Sequence, residues 1–203
     1  MNPGPAPSER DGALAETQRQ RILCAAQHCF IERGFHAASM LSIAEAAGMS
    51  VGLLYRYFEN KNAIVLAIID RQLGEGRAQL ARLHSSSDLA TELTQAFTRW
   101  KQHDESALNV ALFLEMSVES SRDPQVAEAL RASDATMLEE LRAWMQRGRD
   151  EGGLGLAAET IANRAFLLQC FVNGLMVCAM RCGADPGNAG KAIEKVVDRL
   201  LTP

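Results

Sequence analysis

Apolar positions in this chain recur at helical spacing almost from end to end, and no run shows the alternation of a half-buried strand. The first stretch, residues 16–33, sets Ile22, Ala26, Cys29 and Phe30 on one face. Gly34 ends it, because glycine takes the left-handed conformation of a helix terminus without a Cβ penalty, and Phe35 is placed to fold back on Phe30. Ser39 can cap a short helix over residues 40–47 that stops at Gly48. Ser50 can cap another over 51–58, and Asn60 a long fourth helix with Ile64, Ile68 and Ile69 on its apolar side.

Past His84 the string Ser-Ser-Ser-Asp marks a turn with Asp88 as the expected cap, followed by Leu89, Leu93, Phe97 and Trp100 at helical spacing. Residues 105–120 are apolar nearly all round (Leu108, Val110, Leu112, Phe113, Leu114, Met116, Val118), which suits a central helix. Asp123-Pro124 opens a segment reaching about Arg149, with Val126, Leu130, Met137, Leu141, Trp144 and Met145 facing inward. Gly152, Gly153 and Gly155 form a connector that lacks the Lys-Ser/Thr and the preceding strand of a phosphate loop. A long helix over 158–181, a turn at Asp185-Pro186-Gly187 and a last helix over 189–201 complete the chain. The last carries Ile193, Val196, Val197, Leu200 and Leu201 as a stripe. The pattern predicts an all-α fold of about nine helices.

Two helices of about seven residues joined through Gly48 are too short to persist alone, and helix-turn-helix packing gives them a partner. Ala44 is small where they cross, and Met49, Leu54, Ile43, Ala47 and Phe58 supply the apolar side that packs on the first helix. The second short helix is then free to offer Val51, Gly52, Leu53, Tyr55 and Arg56 to a DNA major groove.

The run GFHAASMLSIAEAAGMSVGLLYRYFENKNAI, residues 34–64, resembles the DNA-binding signature of the TetR/AcrR regulators, without gaps. The resemblance, with the preceding helix, covers residues 21–67; beyond it the likeness is in helix number and order. It implies phosphate contacts from Tyr55, Tyr57 and Lys61, with hydroxyls or helix N-termini at Ser39 and Ser50. It implies base-edge contacts from Leu41, Val51, Gly52 and Leu53, with Ser42 and Arg56 as additions. Tyrosine hydroxyls, lysine and helix N-termini are natural phosphate ligands. Leu41, Val51 and Leu53 cannot donate hydrogen bonds to guanine or adenine, so thymine methyls, backbone amides and DNA shape carry more of the readout.

Composition narrows the class. Of 203 residues, 47% are apolar and 23% charged, which suits a packed protein and excludes a disordered one. The net charge of −4 argues against coating of nucleic acid by the whole surface. Residues 1–82 hold nine Lys and Arg against eight Asp and Glu, and 83–203 hold twelve against seventeen, so any DNA site is local and sits beside an acidic body. The five cysteines (Cys24, Cys29, Cys170, Cys178, Cys182) form no CxxC pair and read as reduced thiols of a cytoplasmic protein. The start MNPGPAPSERDG has no apolar signal core. The apolar run 165–180 is broken by Gln169, Asn173 and Gly174 and falls short of a membrane span, so it reads as a buried helix with no membrane partner. The expected organisation is a flexible arm over 1–14, a DNA-binding domain over 15–61 and an effector-binding and dimerisation domain over 62–203.

The resemblance implies an effector pocket within the fourth to seventh helices and a homodimer through the last two. Phe97, Trp100, Leu112, Phe113, Met116, Met137, Leu141, Trp144 and Met145 are candidates for the pocket, since Met and aromatic side chains adapt to varied apolar ligands. Glu115 carries a carboxylate into that apolar stripe. Gln169 and Asn173, four apart, need partners where buried. Cys24 with His28, and Cys178 with Cys182, are four apart but show no third metal ligand, and no cofactor is implied. The reading is a ligand-responsive regulator, a repressor released from a palindromic operator by a small, largely apolar effector. Two rivals stand beside it. One is a helical-bundle enzyme using Glu115 and Glu119, though no Glu-x-x-His pair accompanies them; the other is a protein-binding adaptor.

Overall fold

The computed structural model describes residues 7–102, 104, 109–181 and 186–202. Cys182, Asp185, the segment 105–108 that includes Leu108, and the first six residues of the expected arm lie outside them. Among the described residues there are nine α-helices and no strand. They are α1 (Pro7–Ala37), α2 (Met40–Ala46), α3 (Val51–Tyr55), α4 (Lys61–Leu80), α5 (Ser86–Lys101), α6 (Val110–Glu119), α7 (Pro124–Gln146), α8 (Ala158–Arg181) and α9 (Pro186–Leu201). A 3₁₀ turn, Arg149–Glu151, follows α7.

The chain forms two compact units, one of Met1–Ile69 with Ala111–Ala129, the other of Asp70–Val110 with Leu130–Pro203. In the first, α1 packs on α2 and α2 on α3. Its core is Ile22, Phe30, Ile43, Leu54, Ile64, Ile68, Leu112 and Val126, each at most 1% exposed. Each such side chain contributes roughly 1.5–3 kcal/mol by leaving water, which is how a five-residue α3 persists. In the second unit α5 packs against both α8 and α9, and Leu93, Phe97, Leu168, Ile193 and Val197 are buried. Trp144 is buried there too, its indole N–H donating to the Leu83 carbonyl at 3.1 Å. The glycine connector folds back along the end of α7, where the Leu154, Gly155 and Leu156 N–H groups donate to the carbonyls of Trp144, Arg147 and Met145.

Local signals set most helix starts. Asn60 Oδ1 accepts from the Ala63 N–H at 2.9 Å, and Asp123 Oδ1 from the Gln125 N–H at 2.8 Å. The Phe30 and Phe35 rings meet at 5.2 Å across the Gly34 break. Three expectations need correction. Residues 7–14, expected in a flexible arm, belong to α1, which starts at Pro7, where the missing N–H costs nothing. The helix expected over 51–58 is regular only to Tyr55, and the Arg56 and Tyr57 N–H groups bond three residues back instead of four. The cap of α5 is Ser85, whose Oγ accepts from the Asp88 N–H. The Asp88 carboxylate turns back to the His84 N–H, and that bond holds its pKa below the ordinary value.

α8 keeps its expected bounds but not its expected burial. Ile161, Ala165, Leu168, Met176 and Ala179 are buried, while Phe166 and Leu167 are 57% and 53% exposed. By length and composition α8 is apolar enough to cross a membrane.

Gly48 turns the chain between α2 and α3 at φ +61°, and its carbonyl accepts from Arg21 Nη2 at 3.2 Å. An L-residue there costs about 1–2 kcal/mol. A Cβ would also stand 2.6 Å from Arg21 Nη2. Gly48→Ala is therefore expected to lower unfolding stability by about 1–2 kcal/mol in denaturant titration, and a variant as stable as the parent would show that the turn relaxes.

Candidate nucleic-acid interface

The α2–α3 pair is built from two serine caps. Ser39 Oγ accepts from the Ser42 N–H at 3.1 Å, while the Ser42 hydroxyl donates to the Ser39 carbonyl and accepts from the Ser39 N–H, both at 2.9 Å. Ser42, a candidate base contact, is only 9% exposed and commits its hydroxyl to this capping box, which removes it from the reading face. Ser50 Oγ accepts from the Leu53 N–H at 3.2 Å. Inward, Ile43, Ala44, Ala47, Leu54 and Phe58 are buried. Of the residues of α3 only Leu54 is buried. Gly52 and Arg56 are exposed, Val51, Leu53 and Tyr57 half-buried, and Tyr55 and Leu41 52% and 56% exposed. One side of the pair is spent on the core and the other is open, which is what a reader of an external polymer needs.

Two arginines brace the pair from α1, and sequence reasoning missed both. Arg21 holds the Gly48 carbonyl, and Arg19 lies over the Phe58 ring at 4.4 Å while Nη1 reaches the Tyr57 carbonyl at 3.5 Å. Their only sequence signal is position on the exposed flank of α1, which any solvated arginine shares.

Lys61 departs from its expected role. Its Nζ donates to the Phe35 and Ala38 carbonyls at 2.6 and 2.9 Å and to that of His36 at 3.5 Å, and it sits 4.3 Å from the Phe35 ring centroid. Its three N–H donors thus cap the end of α1 in place of reaching toward a phosphate. Burial pushes the ammonium pKa down, and Glu119 opposes that shift. Glu115, a candidate ligand contact, is also committed, since Oε2 accepts the Phe35 N–H at 3.3 Å. Glu119, 5% exposed, has Oε2 3.3 Å from His36 Nε2.

The remaining pocket candidates are distributed between the units. Leu112 and Met116 are buried and Phe113 half-buried in the first. Phe97, Trp100, Leu141, Trp144 and Met145 are buried in the second, with Met137 half-buried. Gly76 of α4 leaves bare backbone for Met137, whose Cε would lie 2.7 Å from a Cβ there. An open cleft of about 870 Å³ between α5 and α9 is lined instead by Thr91, Thr94, Gln95, Lys191, Glu194 and Lys195 among others, and by none of the candidates. Gln169 Nε2 donates to Asp134 at 2.9 Å. Among the described residues no group of three His, Cys, Asp or Glu is placed to hold a metal.

Two family models match the chain. Residues 22–68 match bacterial regulatory proteins of the tetR family, and residues 84–203 match the tetracyclin repressor-like C-terminal domain. The HTH-type transcriptional regulator UidR of Escherichia coli K12 is 32% identical over 158 residues, which is 76% of this chain and 78% of UidR. Among solved structures, Salmonella enterica GusR superposes with a TM-score of 0.74 at 27% identity, over 91% of this chain and 95% of GusR. The SmeT–triclosan complex superposes with a TM-score of 0.72 at 23% identity, over 92% of this chain and 95% of SmeT, and so shows the fold alone.

Removing the ammonium leaves the Phe35 and Ala38 carbonyls without their partner. Lys61→Met is expected to lower stability by about 1–3 kcal/mol, read as a drop in thermal midpoint. No loss would mean that water replaces the cap at no cost.

Proposed function

This chain belongs to the tetR family of bacterial regulatory proteins, and we propose that it is a homodimeric repressor that leaves a palindromic operator when a small, largely apolar effector binds. Regulators of this family bind operator DNA, dimerise and bind small molecules; they are not enzymes. The single observation that carries the DNA reading is α3, with Leu54 anchored in the core and Gly52, Tyr55 and Arg56 open to solvent. Base edges would meet Leu41, Val51, Gly52 and Leu53, while Tyr55, Tyr57 and the N-termini at Ser39 and Ser50 would meet phosphates. On this reading residues 15–61 read DNA, 62–203 sense and dimerise, and the protein works in the cytoplasm beside its operator.

The exposed apolar face of α8 supports the dimer. Phe166, Leu167 and Met180, with Val196 on α9, leave more apolar surface in water than a single chain tolerates well. A second copy paired through α8 and α9 would cover it, and would set two α3 helices one DNA turn or a multiple apart. The effector seat is proposed among Phe97, Trp100, Met137, Leu141, Trp144 and Met145 of the second unit. In the same fold, SmeT holds triclosan. An effector releases the operator only by binding one of the two states of the dimer more tightly than the other.

Enrichment of random duplexes by the purified chain is the direct test. A palindrome whose affinity falls steeply with salt is the expected product; a chain that enriches nothing is not a DNA reader. Gly52 separates function from stability, since a Cβ there meets nothing within 4 Å. Gly52→Ala is expected to leave stability unchanged or raised by up to about 1 kcal/mol, yet to weaken operator binding by about tenfold, as a methyl displaces a close groove contact. For the dimer, Leu167→Glu is expected to keep the helical spectrum while shifting sedimentation from dimer to monomer; an unchanged dimer would place the interface elsewhere.

A further inference from the structure

We infer that Glu115 and Glu119 of α6 are positioning residues for DNA reading: from outside the helix-turn-helix, they fix the junction that sets where α2 begins. The inference rests on the DNA-binding reading above.

Residues 34–39 have little ladder of their own. Gly34 leaves helical geometry at φ 76°, ψ 160°, and the Ala38 N–H returns to the Gly34 carbonyl at 3.2 Å. Several of their polar groups are taken from a distance. Glu115 receives the Phe35 N–H, Lys61 caps the Phe35 and Ala38 carbonyls, and Glu119 meets the His36 ring. The next residue, Ser39, is the N-cap of α2, and α2 carries α3 through the Gly48 turn. Glu115 and Glu119 are one helical turn apart, so both address the junction from one side of α6.

Stability alone does not call for this arrangement. A carboxylate buried as deeply as Glu119 pays a desolvation penalty that an apolar side chain of similar volume would avoid. What the carboxylates add is direction, because a hydrogen bond from one N–H and a polar contact with one ring nitrogen favour a particular orientation where apolar packing tolerates sliding. A shift of α6 is thereby passed to the start of α2 through contacts that are direct and few, and α6 also carries the effector candidates Leu112, Phe113 and Met116.

The test compares two substitutions that remove the same charge. Glu115→Ala loses the acceptor for the Phe35 N–H, whereas Glu115→Gln keeps an amide oxygen in its place. Both remove an anion, which by itself strengthens binding to any DNA. The probe is the duplex enriched by the parent chain, with an unselected duplex of equal length as reference and Glu92→Gln, at an exposed position of α5, as a control. Glu115→Ala is expected to bind the enriched duplex about tenfold more weakly than the parent, while Glu115→Gln stays within about twofold. Neither is expected to lose affinity for the unselected duplex. Equal behaviour of the two variants, no change in either, or a parallel loss on both duplexes overturns the inference. Should Glu115→Ala not fold, Glu119→Leu is read in its place, with about threefold weaker binding to the enriched duplex expected and unchanged binding overturning it. If the parent enriches no duplex, it is the DNA reading that fails, a result distinct from these.

Discussion

The six residues from Gly34 through Ser39 impose the constraint on which the N-terminal unit depends. Where α1 breaks, its last carbonyls and the N–H groups beyond them lose their helical partners, and an unmade buried hydrogen bond costs on the order of 1–3 kcal/mol. The chain closes this deficit with the Lys61 ammonium from α4 and the Glu115 carboxylate from α6, while Glu119 meets the His36 side chain beside them. A helix end satisfied by its own cap is indifferent to its surroundings; this one is oriented by them. The consequence passes outward, because α2 is seven residues and α3 five, too short to hold a direction of their own.

The same six residues show what a sequence can and cannot reveal. Phe35 was legible as the partner of Phe30, and Ser39, Ser50, Asn60 and Asp123 as caps, because each acts within a few residues of itself. The bounds of α8 were legible for a related reason, a long apolar stretch between a glycine connector and a proline turn. Lys61 was misread because its motif position is the same whether it faces a phosphate or three carbonyls, and only coordinates separate the two. Glu115 and Glu119 were visible as a pair four apart, but their partners lie about 80 residues away along the chain. Ser42 could have been found: Ser-x-x-Ser at a helix start is a capping-box spacing, and a hydroxyl used there is not available to a base.

Effector contacts were the least legible part, for a different physical reason. A pocket for an apolar ligand and an ordinary core draw on the same side chains. Trp144 illustrates this, for its spacing suits either role and its indole N–H is satisfied by the Leu83 carbonyl. Specific pocket chemistry in a sequence comes from polar groups without an internal use, and the two most conspicuous here, Glu115 and Gln169, each have one. Burial on α8 was legible only in part, because an amphipathic period counts apolar residues without saying which molecule covers them. Phe166 and Leu167 lie on a face that the single chain leaves open.

Those two faces, the open side of α3 and the open side of α8, are coupled energetically under the proposed function. On that proposal Leu41, Val51 and Leu53 would meet the groove with no side-chain donors, and the N-terminal 82 residues carry a balance of only one positive charge, so a single reading head would hold a duplex mainly through a few neutral phosphate contacts. Linking two heads turns the second binding event into an intramolecular one, which raises avidity without any new contact, provided the spacing matches the duplex. A weak head is therefore an advantage for a switch. Strong side-chain bonds to guanine would hold one half-site after the spacing changed, whereas shape-dependent contacts lose both together. The scarcity of donors on α3, the apolar α8 face and the externally braced junction before α2 are then parts of one arrangement, in which affinity resides in the geometry between two copies more than in either one.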